Sequence, residues 1–173
     1  TFRALNKLWK LRLSLEDMAK LAINFGADIP FCIYSKLSIA RGKGEELLFI
    51  NKKLKTKILL VNPNVKISTK DVFSKVNKED LEHVKITNMS SAIYNKNYEI
   101  MVRELHNSLE KIAFTMEPKI KEIKHQMIDY GLDGALMSGS GATVFGLSKS
   151  KDKLSLVYDL MNDDYFKIIT KII

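Results

Sequence analysis

Three short segments of this 173-residue chain combine the residue types that phosphoryl or proton chemistry uses. Ser138-Gly-Ser-Gly-Ala-Thr143 alternates hydroxyls with glycines. Lacking Cβ atoms, glycines let backbone N–H groups turn toward one point, which makes a nest for an anion. The run lacks the Gly-Lys-Ser/Thr ending of a Walker loop and does not match Gly-x-Gly-x-x-Gly. A strand bend or a tight backbone contact therefore accounts for it as well as a phosphate-side loop does. Asp28 is the lone carboxylate of Phe25-Gly-Ala-Asp-Ile-Pro-Phe31, an otherwise apolar run. Just past a helix C-terminus it would face the negative end of the helix dipole, so helix stability does not explain it. A turn-forming acid and a catalytic base or substrate-orienting acid both remain open. Thr69 and Phe73 lie four apart, hence on one helical face, where a hydroxyl and a ring could flank a base or polyol. Capping plus core packing is the competing reading of that pair.

Other reactive residue types point away from chemistry. Arg41-Gly-Lys-Gly-Glu-Glu46 reads as a solvated hairpin turn, although Lys43 could meet a phosphate at a site rim. Cys32 is the single cysteine, so an internal disulfide is excluded, and its apolar setting predicts a buried, inert thiol. Such usage fits a reducing, cytoplasmic location. No Cys/His spacing resembles a zinc site, and His83, His106 and His125 stand without an acid or nucleophile arrangement. The formal net charge of +8 comes from lysines scattered over Lys52, Lys53, Lys55, Lys57, Lys66, Lys70, Lys75, Lys78 and the 119–124 segment. Nucleic-acid surfaces more often gather arginine and aromatics on one face. A solvated surface fits better, attraction of a polyphosphate substrate comes second, and nucleic acid is not an expected partner. No apolar run approaches the ~18 residues of a membrane-spanning helix, so no membrane is expected either.

Periodicity supplies the elements that must position these residues. Leu5, Leu8, Trp9 and Leu11 predict a helix over 4–12. Ser14 and Asp17 make a capping box, opening a helix through Met18, Leu21, Ala22 and Phe25, with Gly26 as its left-handed end. Residues 37–50 suggest two strands around Gly-Lys-Gly, and 57–62 a strand stopped by Pro63. Ser68 or Thr69 caps a short helix holding Val72, Phe73 and Val76. The polar stretch 77–96 reads as a loop with some helix. One longer helix is expected from Tyr98 to Phe114, and another from Pro118 to Tyr130, ended by Gly131. Strand, glycine turn and strand follow over 134–148, then a helix near 151–162 and a terminal strand. That order predicts an α+β fold, an antiparallel sheet covered by helices on one face.

Five segments in this order resemble the GHMP kinases over nearly the whole chain. They are Phe2-Arg-Ala-Leu-Asn-Lys-Leu-Trp9, "LSLEDMAKLAINFGADIPF", "ARGKGEEL", "ILLVNPNVKISTKDVF" and "ALMSGSGATVFGL". Each is weak alone. The fourth points to the branch whose acceptor is a cytidine-diphosphate-linked methylerythritol, rather than to homoserine, mevalonate or galactose relatives. The resemblance implies ATP-dependent phosphorylation of a hydroxyl on that small-molecule substrate, in the methylerythritol phosphate route to isoprenoid precursors, with Mg²⁺ assisting. It implies that Asp28 is the catalytic base or acceptor-orienting acid. Thr69 and Phe73 would hold the cytidine and erythritol end, and Gly139, Ser140 and Gly141 would support the phosphate region. Residues 1–56 would be a remnant of the family's N-terminal domain and 57–173 its C-terminal domain. Leu105-His-Asn-Ser-Leu-Glu110 resembles a mainly structural helix of the family, with Ser108 where an aspartate is usual.

The family's glycine-rich nucleotide loop, its partner lysine and its cytosine-gripping aromatic and histidine would all precede Thr1. The expectation is a chain cut from something longer, with no ATP turnover of its own. A truncated inactive product and a substrate-half module that binds a precursor or partner without catalysis are the other two readings. Without the family's front part, Leu5, Leu8 and Trp9 would lie uncovered, and contiguous apolar surface drives association. A homodimer or larger species is therefore the expected outcome in light scattering. A strictly monomeric species with cooperative unfolding counts against it.

Overall fold

The capping box places the first turn of the main helix pair. Ser14 Oγ accepts from Asp17 N at 3.1 Å, and Ser14 N donates to the Asp17 carboxylate at 3.2 Å, starting α2 (Leu15–Ala22). Before it, α1 (Phe2–Leu8) stops short of the expected residue 12. Lys10 turns left-handed at φ 54°, with Lys10 N donating to Lys7 O and Leu11 N to Asn6 O. That double bond is a Schellman stop, formed on a lysine rather than a glycine. Asn6 then braces the link to α2 by exchanging two hydrogen bonds with the Leu13 backbone, at 2.9 and 3.0 Å.

The end of α2 also differs from expectation. The helix finishes at Ala22, whose carbonyl accepts from both Phe25 N and Gly26 N, so the stop needs no left-handed glycine. Gly26 has none: its φ is not positive. Next comes α3 (Ile29–Tyr34), with Pro30 in its first turn. Pro30 and Ile33, three apart, face inward, which turns Cys32 outward. The thiol expected to be buried is exposed. Met18, Ala22 and Ile33 form the small core of this region, and β1 (Ser38–Arg41) pairs antiparallel with β2 (Glu46–Phe49) across the Gly42–Gly44 turn. Of the residues expected to lie uncovered, Leu8 and Trp9 are 71% and 61% exposed and Leu5 is half-buried; Leu11 beyond the helix is 50% exposed.

This computed structural model describes residues 1–52, 54, 56–77 and 84–172, and it divides into two units, Thr1–Lys53 and Leu54–Ile172. Lys53, Lys55, Lys78 and His83, with the rest of 78–83, lie outside the described residues.

The second unit is built on β3 (Lys57–Asn62), whose alternation buries Leu59 and Val61 on one face. After it come α4 (Thr69–Ser74), α5 (Ile86–Tyr94), α6 (Tyr98–Arg103), α7 (Glu110–Met116) and α8 (Pro118–Asp129). Then β4 (Gly134–Met137), β5 (Val144–Ser148), α9 (Lys151–Leu160) and β6 (Phe166–Lys171) complete an antiparallel sheet of order β4-β5-β3-β6. Ile120, Ile123 and Met127 of α8, with Leu154 and Val157 of α9, sit on Leu59, Val61 and Val144 with no exposure at all. Each such side chain contributes about 1.5–3 kcal/mol over its exposed state. The expected α+β fold, with helices packed on an antiparallel sheet, is what the chain adopts.

The single helix expected over 98–114 is two. Residues 104–109 leave helical geometry because Asn107 turns its side chain to other backbone: its amide donates to Met137 O and Gly139 O, and its Oδ1 accepts from Leu109 N. Among the described residues no helix is long and apolar enough to cross a membrane.

Candidate active site

The glycine run 138–143 joins β4 to β5, and four side chains from distant parts of the second unit hold it. At its start, Asn107 Nδ2 donates to both Met137 O and Gly139 O, each at 2.8 Å. Glu110 Oε1 accepts from Met137 N at 2.9 Å, while Glu110 Oε2 pairs with Lys124 Nζ at 2.5 Å. That pair is largely shielded, with side chains 13% and 24% exposed, so solvent screens it less than a surface pair. At the far end, Asn62 Nδ2 donates to Thr143 Oγ1 at 2.9 Å, tying the loop to the end of β3. Near the middle, Thr69 Oγ1 and Ser140 Oγ lie 2.8 Å apart, in hydrogen-bond contact across 71 residues of sequence.

The structure assigns neither the cap to Thr69 nor the core position to Phe73. Ser68, not Thr69, caps α4, by accepting from Asp71 N, and Val72, not Phe73, enters the core. Thr69 is exposed, and Phe73 is 58% exposed one turn further along. The helix uses neither residue for its own stability, so both are free to face a ligand. A cleft of about 650 Å³ lies beside the loop, with Lys66, Ser68, Asp71, Glu117, Gly141 and Ala142 in its wall; Thr69, Phe73, Gly139 and Ser140 do not line it. The loop's backbone reaches that wall closely at one point. A Cβ on Gly141 would lie 3.2 Å from Ile120 Cδ1 and from Met137 Sδ, and 3.3 Å from Ile67 Cγ2, and the residue sits at φ 97°. Gly139, at φ 57°, would meet nothing within 4 Å, so its side of the loop is open.

The first unit holds Asp28 and Lys43. Asp28 does not follow a helix end into the negative pole of a dipole, as the sequence suggested; it is the N-cap residue of α3. An acid there meets the positive pole of the helix behind it. Its side chain makes no capping hydrogen bond and is exposed. Lys43 sits in the β1–β2 turn, where its backbone N donates to Glu45 Oε2 at 2.6 Å. Among the described residues no group of three His, Cys, Asp or Glu could hold a metal ion. A second polar cluster lies elsewhere in the second unit: Tyr98 donates to Asp133 at 2.9 Å, and burial first, then Asp133, push its hydroxyl far above the usual tyrosine range.

Residues 89–167 match the family model described as GHMP kinases C terminal. This chain carries a GHMP kinase C-terminal domain. A Staphylococcus haemolyticus protein provisionally named 4-diphosphocytidyl-2-C-methyl-D-erythritol kinase is 39% identical over 162 residues, 94% of this chain and 57% of that protein. A Staphylococcus aureus (strain MRSA252) protein with the same provisional name is also 39% identical, with the same coverage. The chain therefore spans a little over half the length of these relatives. Among solved structures, a 4-(cytidine 5'-diphospho)-2C-methyl-D-erythritol kinase superposes with TM-score 0.77 at 28% identity, over 96% of this chain and 59% of that one. Homoserine kinase from Cytophaga hutchinsonii reaches the same TM-score at 16% identity, covering 96% of this chain and 60% of its own, and speaks for the fold alone.

The sequence reading of this GHMP domain took Leu105–Glu110 as a mainly structural helix, which residues 104–109 do not form, and gave Asn107, Glu110 and Asn62 no part in holding the glycine loop. The Asn-x-x-Glu spacing at 107 and 110 was a usable signal, but a helix drawn straight through it hid the change of direction. Gly141→Ala is expected to cost about 2 kcal/mol or more, from strained backbone plus overpacking. Gly139→Ala, in open space, is expected to cost only about 1 kcal/mol. Urea unfolding midpoints check the order, and equal costs would refute the packing argument.

Proposed function

We propose that this chain forms the acceptor side of an ATP-dependent kinase that phosphorylates a hydroxyl of 4-diphosphocytidyl-2-C-methyl-D-erythritol, in the methylerythritol phosphate route to isoprenoid precursors. The observation that carries this reading is the Thr69–Ser140 contact, which joins α4 to the glycine loop at 2.8 Å. Support comes also from the names of the relatives, whose printed substrate is that cytidine-linked polyol.

On this reading Asp28 takes or orients the proton of the acceptor hydroxyl, a role that needs an exposed carboxylate not committed to its own helix. Thr69 supplies a hydroxyl and Phe73 an exposed ring for the cytidine and erythritol end. Gly139, Ser140 and Gly141 lend backbone beside the phosphates, where the open side at Gly139 leaves room for an oxygen to approach. ATP supplies the transferable phosphoryl group when bound. Mg²⁺ bound with the nucleotide would neutralise charge on its phosphates. Most of the catalysis then rests on positioning and charge. A cytoplasmic location, without membrane or nucleic-acid partner, goes with this role, as does self-association through the patch at Leu8, Trp9 and Leu11.

Two assays test the reading. The 173-residue chain alone is expected to turn over no ATP above background. Joined behind the part of the Staphylococcus haemolyticus relative that it does not match, it is expected to phosphorylate the cytidine-linked polyol. Asp28→Asn should then lower kcat by about 10²–10⁴. Turnover by the isolated chain that vanishes in Asp28→Asn would overturn the first expectation. A joined protein that binds the polyol but never phosphorylates it would favour a non-catalytic binding module.

A further inference from the structure

We propose that Asn107 is a positioning residue for the glycine loop, its amide turning the Gly139–Ser140 peptide so that the Ser140 N–H faces outward; the use of that N–H for a phosphate rests on the kinase reading above. Both amide hydrogens of Asn107 are spent on backbone carbonyls two residues apart, Met137 O and Gly139 O, each at 2.8 Å. Its oxygen is also engaged, by Leu109 N at 2.9 Å, so the side chain cannot flip without losing three bonds. In a planar trans peptide the C=O and N–H point in opposite directions. Drawing the Gly139 carbonyl onto Asn107 therefore directs the Ser140 N–H away from it, and among the described residues that N–H donates to no protein atom. An outward N–H on a glycine turn is a donor for an anion such as a phosphate oxygen.

Glu110 completes the hold by accepting from Met137 N, and Lys124 fixes Glu110 in turn. Within the loop, Gly141 N donates to Ser138 O at 3.0 Å and Ser138 N to Thr143 O at 2.8 Å. Those bonds close the turn but leave the direction of the 139–140 peptide unspecified. Asn107 is the side chain that specifies it.

Amide hydrogen exchange on the ¹⁵N-labelled chain reads how firmly Asn107 holds the loop, at the Gly141 N–H whose bond to Ser138 O spans the 139–140 peptide. Asn107→Asp keeps the shape but replaces the amide nitrogen, with its two donor hydrogens, by one acceptor oxygen facing two carbonyls. It is expected to speed exchange at Gly141 by about tenfold or more, with the strand amides of β3 and β5 within about threefold of the parent. Asn107→Ser, which keeps one donor hydrogen and adds no charge, should give an intermediate acceleration should the aspartate variant fold poorly. Glu110→Gln retains an acceptor for Met137 N and should leave Gly141 within about threefold. Unchanged exchange at Gly141, or equal acceleration across the whole sheet, would overturn the positioning role. Inorganic pyrophosphate provides the separate arm. A saturable shift of the Ser140 amide that is lost in Asn107→Asp supports both the positioning and its use for phosphate. Loosening of the loop by Asn107→Asp with a Ser140 amide indifferent to pyrophosphate still supports the positioning, and instead sinks the phosphate-side reading of the loop.

Discussion

A turn of glycines and hydroxyls has no neighbouring strand to fix it, and side chains from four places in the second unit hold it instead. Asn107 donates to the Met137 and Gly139 carbonyls and Glu110 accepts from Met137 N, while Asn62 and Thr69 reach the loop's own hydroxyls, at Thr143 and Ser140. Asn107 and Glu110 come from the break between α6 and α7, Asn62 from the end of β3, and Thr69 from the start of α4. The break between α6 and α7 is thus a consequence of the loop rather than a fault in the helix. The same holds for the close packing of Gly141 on Ile67, Ile120 and Met137, which admits no side chain.

The core beneath makes that arrangement rigid. The α8 stripe of Ile120, Ile123 and Met127 and the α9 pair Leu154 and Val157 are completely buried against Leu59, Val61 and Val144. Ile120 belongs to both structures: it closes the core and touches the space where a Gly141 side chain would go. Interiors packed at crystal-like density transmit such contacts with little give. The residues proposed to meet the substrate, by contrast, are ones the core does not use. Thr69 and Phe73 stand exposed on a helix whose cap is Ser68 and whose buried anchor is Val72.

Local signals made much of this legible in the sequence. The Ser14–Asp17 box, the Gly-Lys-Gly hairpin, the strand stopped by Pro63 and the Pro118–Gly131 helix all depend on neighbours within a few residues, and all are present. Long-range bonds were not legible. Asn107 leaves the helical pattern for partners 30 and 32 residues away, and no periodicity records that. The stop of α1 at Lys10 was hidden because a Schellman turn ordinarily announces itself with glycine, and here a lysine takes the left-handed backbone. The outward turn of Cys32 was likewise invisible, since an apolar run does not say which of its residues face the core. Five ordered segments nonetheless carried the family, because a shared order constrains more than any one motif.

The most direct test is a titration of the ¹⁵N-labelled chain with the cytidine-diphosphate-linked methylerythritol, followed by amide chemical shifts. The account predicts saturable shifts concentrated at Thr69, Phe73 and Gly139–Gly141, because Thr69 meets the glycine loop at Ser140 and Phe73 stands exposed one turn along the same helix. Saturable shifts elsewhere with these amides unmoved, or no shift at millimolar ligand, would contradict it.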